Sequence, residues 1–498
     1  MDATESLEND VREGRIDADR LIAVVDALQR QLRRATQRIA ELEKLLPNAP
    51  TAKVDEAFSL RAEEKRQEAR GQAKPKGSRK RRRGRIANEE KLKLAARTEA
   101  VFPEGVDPGA CRLSHVRPVW RIESGVAVLV AYEIYCGPKK QYGKIPGVIG
   151  RSEFGMEIVV EVAFLVYMMG QSFDKACIML NFFQNLKLKK SQADALLHQL
   201  SRHWENEFET LCTLLANSLV VHADETSWSI NSVWAFLSEK ARILFFGVHK
   251  DAETLKKILD PASFQGLIVS DDAAVYADFT KSQKCWAHLL RKAIKLTLQD
   301  PSNAEYRTFA DRFLEIYREA RRVQEDKTLD DARRVKRVAE LDDEILDLCS
   351  PFWRPNLPPL DGLAGDFGRL VNEIMRIALN NELFPFVTTP PVKQPNGELK
   401  PVGGTNNEAE RVLRPPAEAR KTGRTSKTLD GARRQTILTS VLESLRLYLK
   451  AFTLANVIAE VERWSQQGKS AFEQLVAKLK IRPPDASILD QIFPKPSG

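Results

Sequence analysis

An α/β fold, built on a mixed sheet covered by helices, is what this sequence predicts, and three observations predict it. Apolar runs at 217–223, Val233-Trp-Ala-Phe-Leu and Ile243-Leu-Phe-Phe-Gly-Val are separated by short polar turns, the pattern of an antiparallel three-strand start. Helix-like and strand-like segments then alternate: a helix at 251–259, a fourth strand at 266–270, a fifth around Lys284-Cys-Trp and a helix from His288. Residues 303–348 are charge-rich but place Phe309, Phe313, Ile316 and Tyr317 at helical spacing. A meander followed by such alternation gives a mixed sheet with helices on its faces.

The elements before this core are read in chain order. Leu21, Val25, Leu28, Leu32, Ala35, Ile39, Leu42 and Leu46 alternate spacings of four and three, a heptad seam that predicts a coiled coil at 1–46 and self-association through 21–46; a helix packed on its own domain is the other reading. Residues 47–100 lose this period and hold a basic run, with eight cations among the twelve residues from Lys74 to Arg85. Such a run is expected to be disordered alone and to touch phosphates without reading sequence, Arg79, Lys80, Arg81, Arg82 and Arg83 being its densest part; a solvated linker is the plainer alternative. The seam precedes the basic run across a broken linker, which excludes the bZIP order.

Residues 101–150 contain Val116-Arg-Pro-Val-Trp-Arg-Ile and Gly125-Val-Ala-Val-Leu-Val-Ala-Tyr-Glu-Ile-Tyr, a small β element. Residues 151–215 read as helical, with a turn at Leu186-Lys-Leu-Lys-Lys and a helix capped by Ser191. A small DNA-binding helical domain and a plain packing layer fit that pattern equally. The sheet-bearing core is placed at 216–465, with a helical insertion at about 298–385, and a tail follows at 466–498.

Composition narrows the partners. Lys+Arg 77 against Asp+Glu 68 gives a net charge of +9, and the pI of about 9.1 suits a polyanion. The six cysteines contain no CxxC pair, which argues against a disulfide framework or a four-ligand zinc site and favours a reducing cytoplasm. The first twenty residues carry acids and no apolar core, so no export signal is read there, and the apolar stretch 156–169 contains Glu157 and Glu161 and suits a buried helix.

Three acids stand in contexts that suggest metal chemistry. Asp224 closes Ser218-Leu-Val-Val-His-Ala, Asp271 closes Gly266-Leu-Ile-Val-Ser, and Glu410 lies in Asn406-Asn-Glu-Ala-Glu-Arg411. Two strand-end aspartates and one helical glutamate can converge on hard divalent cations, which prefer oxygen ligands. Rivals exist at each place. A strand-end Asp often only caps a loop; Asp272 is assigned the N-cap of a helix from Ala273; Asn407 and Glu410 have capping-box spacing, and Glu408 is a second candidate.

Four motifs occur in one order: His222-Ala-Asp224-Glu-Thr, Val269-Ser-Asp271-Asp-Ala-Ala-Val-Tyr276, Cys285-Trp-Ala-His288-Leu-Leu-Arg-Lys292 and Thr405-Asn-Asn-Glu-Ala-Glu410-Arg-Val-Leu-Arg-Pro415. The series, over about residues 150 to 460, resembles the large transposase of the bacterial IS66 insertion-sequence family, a DDE enzyme with a ribonuclease H-like core. The resemblance implies that Asp224, Asp271 and Glu410 bind two Mg²⁺ or Mn²⁺ ions and that the reaction is cleavage and joining of transposon DNA ends. It selects Asp271 over Asp272 and Glu410 over Glu408, and marks Cys285 and His288 as active-site neighbours, with a buried structural His as the alternative. It also implies DNA partners and leaves open whether accessory proteins are required; with the cysteine usage, the expected location is cytoplasmic and nucleoid-associated. Arg411, Arg414, Arg420 and Lys421, with Arg424, Lys427, Arg433 and Arg434 behind them, form a candidate phosphate track. The chain departs from the family in two places: only Cys111 and Cys136 remain where a zinc module is usual, and Lys421-Thr-Gly-Arg-Thr-Ser-Lys lacks the usual aromatic residues. A structure-selective nuclease and a catalytically inactive DNA-binding relative are the competing functions.

Overall fold

Helix α1 (Asn88–Leu92) opens the part of the chain that the computed structural model describes, residues 88–354, 361–484 and 486–494. The heptad seam at 21–46 and the basic run with Arg79 to Arg83 lie outside the described residues. Strands β1 (Arg97–Val101), β2 (Arg112–Glu123) and β3 (Val126–Cys136) form a three-stranded sheet in the order β1-β3-β2. The β2–β3 hairpin turns on Ser124 and Gly125, both at positive φ (49° and 80°), the backbone that a two-residue turn between right-twisted strands demands. Val119, Val130, Tyr132, Ile134 and Ile145 make its small core.

Four helices follow: α2 (Met156–Ala163), continued by a π-helical turn at Phe164–Met168, then α3 (Phe173–Gln184), α4 (Lys190–His203) and α5 (Glu205–Ala216). Ser191 does not cap α4. The helix starts one residue earlier, and the Gln192 side chain accepts from the Lys189 N–H at 3.0 Å; Gln at the third position reaches back as a capping box does.

The central sheet comprises β4 (Val220–Ser227), β5 (Ser232–Ser238), β6 (Arg242–Val248), β7 (Leu267–Ser270) and β8 (Ser282–Lys284), with helix α6 (Ala252–Ile258) between β6 and β7. Its order is β6-β5-β4-β7-β8; β4, β5 and β6 are antiparallel, and β4, β7 and β8 run parallel. The predicted mixed sheet is therefore present, with one boundary moved. Strand β4 runs past Asp224 to Ser227, so Asp224 pairs with Ala235 inside a strand instead of closing one. Only a 3₁₀ turn, Ala274–Tyr276, follows Asp271 where a helix was predicted.

Helix α7 (Trp286–Gln299) follows β8, and α8 (Ala304–Glu325), α9 (Asp331–Cys349) and α10 (Gly362–Leu379) occupy the stretch at about 298–385 between the second and third acids; together with α7 they are termed the insertion. Trp286, fully buried, stacks on Phe313 with ring centroids 4.9 Å apart and ties α7 to α8. A short helix α11 (Pro385–Thr388) and a ribbon of β9 (Val392–Lys393) and β10 (Leu399–Lys400) lead to α12 (Asn407–Lys421) and α13 (Leu429–Tyr448). Helices α14 (Leu454–Gln467), α15 (Ala471–Leu479) and α16 (Ile488–Ile492) end the described chain.

Side-chain alternation on β4 and β7 separates two cores. Val221, Ala223 and Ile268 join the core of the early helices and α13, while Val220, Leu267 and Val269 face the core of the insertion. Both sheet edges are closed. Helix α13 lies along β6, and Thr436, Ser440 and Ser444 accept from the N–H groups of Phe246, Leu244 and Arg242 at 3.0, 3.0 and 2.9 Å. Four helical residues rise about 6 Å, two strand residues about 6.6 Å, so hydroxyls four apart meet alternate strand amides. At the opposite edge the Lys284 N–H donates to the Glu382 carbonyl at 2.8 Å. Edges covered in this way cannot recruit foreign strands.

Candidate metal centre

Period-two alternation carries Asp224 and Asp271 onto the face that bears Val220 and Leu267, the face covered by the insertion. Asp224 accepts from the Glu225 N–H at 2.9 Å, and Asp271 from the Ala273 N–H at 3.0 Å. Burial, together with the Glu225, Asp271 and Glu410 carboxylates, pushes the Asp224 carboxyl up to about 7, against the single backbone N–H that favours its charge. Glu225 itself is held by the Tyr276 hydroxyl at 2.5 Å and Lys250 at 2.6 Å. Among the described residues, Asp224 has no such cationic partner of its own.

Glu410 comes from α12. The start of that helix is pinned by Asn406, fully buried: its N–H donates to Cys285 Sγ at 3.1 Å, its side-chain amide donates to the Ala223 carbonyl at 2.7 Å, and its carbonyl accepts from the Glu410 N–H at 3.1 Å. Cys285 is joined in turn to β7 through its N–H on the Ser270 carbonyl at 2.8 Å. One residue thus links the strand of Asp224, the segment after Asp271 and the helix of Glu410. Asn406 stands at the N-cap position, so the capping box of Asn407 and Glu410 does not form.

The rivals are engaged elsewhere. Asp272 caps nothing and is paired with Arg376 of α10. Glu408 points toward the other side of α12, where it holds Arg242 and Lys400, each at 2.6 Å. Burial opposes its ionisation, but the Lys400 ammonium and the Arg242 guanidinium hold its pKa below the usual carboxylate value. Glu410 is bound by Arg291 and lies 3.6 Å from His288 Nε2, both on α7. Among the described residues, Cys285, His288 and Glu410 bring one ligand atom each within 4.8 Å of one another. Burial raises the Cys285 thiol, which keeps it protonated and a poor ligand for a hard cation. His288 is half-exposed and opens on a cleft of about 620 Å³, lined also by Asp271, Lys292, Glu373 and Arg376.

The cation track is shorter than predicted. Arg411, Arg414, Lys421, Arg424 and Lys427 are exposed, but Arg433 pairs with Glu205 and Asp490, and Arg434, buried, pairs with Asp194 at 2.8 Å. Arg420 is half-buried and donates to the Ser227 carbonyl at 2.9 Å. These three hold the fold together: Arg420 fastens α12 to the end of β4, and Arg433 and Arg434 lie on α13, which packs inward. Arg291 and Asn406 were missed as site residues. Both lie inside the quoted motifs, Arg291 one helical turn after His288 and Asn406 at the start of α12; their spacing was a signal, but their partners were not visible.

All six cysteines are free thiols, and no helix among the described residues is long and apolar enough to cross a membrane. Compared with known families, residues 151–361 match the model described as "Transposase IS66 family". No curated protein matches the chain. Asp224, Asp271, Cys285 and His288 fall inside the matched segment, and Glu410 lies 410 − 361 = 49 residues beyond it.

Proposed function

Since residues 151–361 match the model of the IS66 transposase family, we propose that this chain cleaves and joins transposon DNA ends by metal-dependent phosphoryl transfer, with Asp224, Asp271 and Glu410 as the acidic triad. The observation that carries this reading is the Asp224 carboxyl, which burial and three neighbouring carboxylates push up to about 7. An acidic cluster with this little internal compensation on Asp224 suits divalent cations, and its all-oxygen donor set suits Mg²⁺ or Mn²⁺. The sheet order β6-β5-β4-β7-β8, with β5 antiparallel to both neighbours and β7 and β8 parallel to β4, supports the ribonuclease H-like reading of the core. Held by Asp224, Asp271 and Glu410, two such ions would supply Lewis-acid activation of an attacking water or DNA 3′-hydroxyl and stabilisation of the leaving oxygen.

The chain's own groups supply the rest. Asp224 and Asp271 offer carboxylates from adjacent strands, and Glu410 offers a third once it releases Arg291. His288 and Arg291 then present N–H donors beside the metal site, suited to the non-bridging oxygens of a phosphodiester. Arg411, Arg414 and Lys421 on α12 hold the DNA backbone near the acids. The test is incubation of the full chain with Mn²⁺ and duplexes taken from the DNA flanking its coding sequence. A free 3′-hydroxyl at a defined end, followed by joining to a second duplex, supports transposition. Cutting without joining would establish a nuclease instead, and neither reaction with intact DNA binding would establish an inactive relative.

A further inference from the structure

Helices α3 and α4 are joined by the turn 185–189, with Asn185 in the left-handed conformation at φ 56°, where helices most often place glycine. Ala176, fully buried, lets α4 pack closely on α3; Leu186 and Leu188 fill the turn; and Ala193, Leu196, Leu197 and Leu200 bury the inner face of α4. The outer face carries an exposed stripe, Ser191, Ala195, His198 and Arg202, at spacings of four, three and four, with His203 exposed at the helix end. Lys187, Lys189 and Lys190 are exposed at its leading end.

From this geometry we infer that α3 and α4 form a helix–turn–helix whose second helix enters the major groove of duplex DNA and reads base edges through Ser191, Ala195, His198 and Arg202. The inference rests on the proposed action on DNA but not on the metal chemistry. Small residues early in the stripe allow the helix backbone to approach the bases, and the longer His198 and Arg202 reach further along the groove. The lysines of the turn match the phosphates on either side. The one acid near the centre of α4 is neutralised from within: Asp194 takes the buried Arg434 at 2.8 Å, and Arg434 also donates to the Tyr167 hydroxyl at 2.7 Å.

That buried arginine belongs to α13, and Arg424, in the loop between α12 and α13, donates to the Gly170 carbonyl just before α3 at 2.9 Å. The reading helix is therefore fastened to the same α12–α13 hairpin that carries Glu410. The distance between the recognised sequence and the bond cut would then be set by the fold.

The full chain and a pool of random-sequence duplexes test this without catalysis. The wild-type chain should enrich a motif. With His198→Ala and Arg202→Ala together, preference should be lost at about three or four adjacent base pairs, and affinity for the wild-type motif should fall at least about tenfold. Binding to a scrambled duplex should change less than about threefold, because the lysines remain. Lys187→Glu with Lys189→Glu, both outside α4, should instead weaken motif and scrambled duplexes alike and make the salt dependence shallower. Asp224→Asn should enrich the wild-type motif unchanged, which separates failure of this inference from failure of the metal site. The inference is overturned if the wild-type chain enriches no motif or the α4 variant enriches the same motif equally well. It is likewise overturned if that variant changes only sedimentation, since the face, with Ile178 and Phe182 exposed on neighbouring α3, would then be a protein contact.

Discussion

Asp224 in β4 stands beside Asp271, the residue that follows the parallel neighbour strand β7. Val220 is opposite Leu267 and His222 is opposite Val269, so two further residues along each strand bring 224 beside 271 on one face. The ladder ends just before this point, and the Asn406 side chain takes the Ala223 carbonyl that lies there. Ligands bind where parallel strands part at their carboxyl ends. Here that place is furnished with acids.

Asp224→Asn, Asp271→Asn and Glu410→Gln should each lower end cleavage by at least about a thousandfold, as loss of a group acting within a catalytic unit does. Retention on duplex DNA should be nearly unchanged in a filter-binding measurement. Asp272→Asn should keep cleaving, because its partner is the half-exposed Arg376 and such pairs contribute about 1 kcal/mol or less. A triad variant that still cleaves removes that residue from the site.

Proton linkage gives a second expectation. The Asp224 carboxyl is raised from 3.8 to about 7, so the folded, metal-free chain holds a proton there that the unfolded chain releases. Its stability should therefore fall as pH rises through that window, and Asp224→Asn should flatten the slope. Bound Mn²⁺ must displace the proton. Affinity should fall as pH drops below about 7, by up to about tenfold per pH unit. Calorimetry in two buffers of different ionisation enthalpy measures the released proton, and an affinity independent of pH would contradict the ligand role of Asp224.

Arg291→Ala should separate metal binding from DNA chemistry. The guanidinium holds Glu410 in the absence of a cation, and its removal leaves that carboxylate available, so Mn²⁺ should bind a few-fold more tightly. Cleavage should nevertheless decline, since a donor to the phosphate is lost. The pair is half-exposed, so thermal stability should shift by the equivalent of about 1 kcal/mol or less. Unchanged metal affinity would show that Glu410 does not exchange partners.

Asn406→Asp retains shape but loses the amide that donates to the Ala223 carbonyl. Leaving that buried acceptor unpaired should cost about 1–3 kcal/mol, and displacement of α12 should weaken Mn²⁺ binding although Asn406 is not itself a proposed ligand. Lowering the pH, which returns a proton donor to the new side chain, should recover part of the loss. Denaturant melts and metal titration across pH check both statements.

Thr436→Val tests the edge closure. The hydroxyl accepts from the Phe246 N–H at 3.0 Å in a fully buried position, and valine offers no acceptor at the same volume. A loss of about 1–3 kcal/mol is expected, read by denaturant melts.

Continuous apolar runs made β5, β6 and β7 legible in the sequence, and helical spacing did so for the insertion, because burial on both faces of a central strand or along one stripe of a helix marks the chain locally. The end of β4 was not legible. Its last residues, Asp224 to Ser227, are polar and remain in the strand only through pairing with β5, a partner that the linear pattern does not name. Arg433 and Arg434 read as surface cations for a similar reason: their acids, Glu205, Asp490 and Asp194, come from distant segments.

By itself the sequence determined the class of the core, the order of its motifs and the identity of the three acids as candidates, since each rests on residue type and local spacing. Tertiary structure alone decided which acids are already spent in ion pairs, how Asn406 gathers the three segments, and which face of α4 is left to solvent. Those outcomes depend on contacts between residues far apart in the chain, whose energies are set by burial and by partners that no local period records.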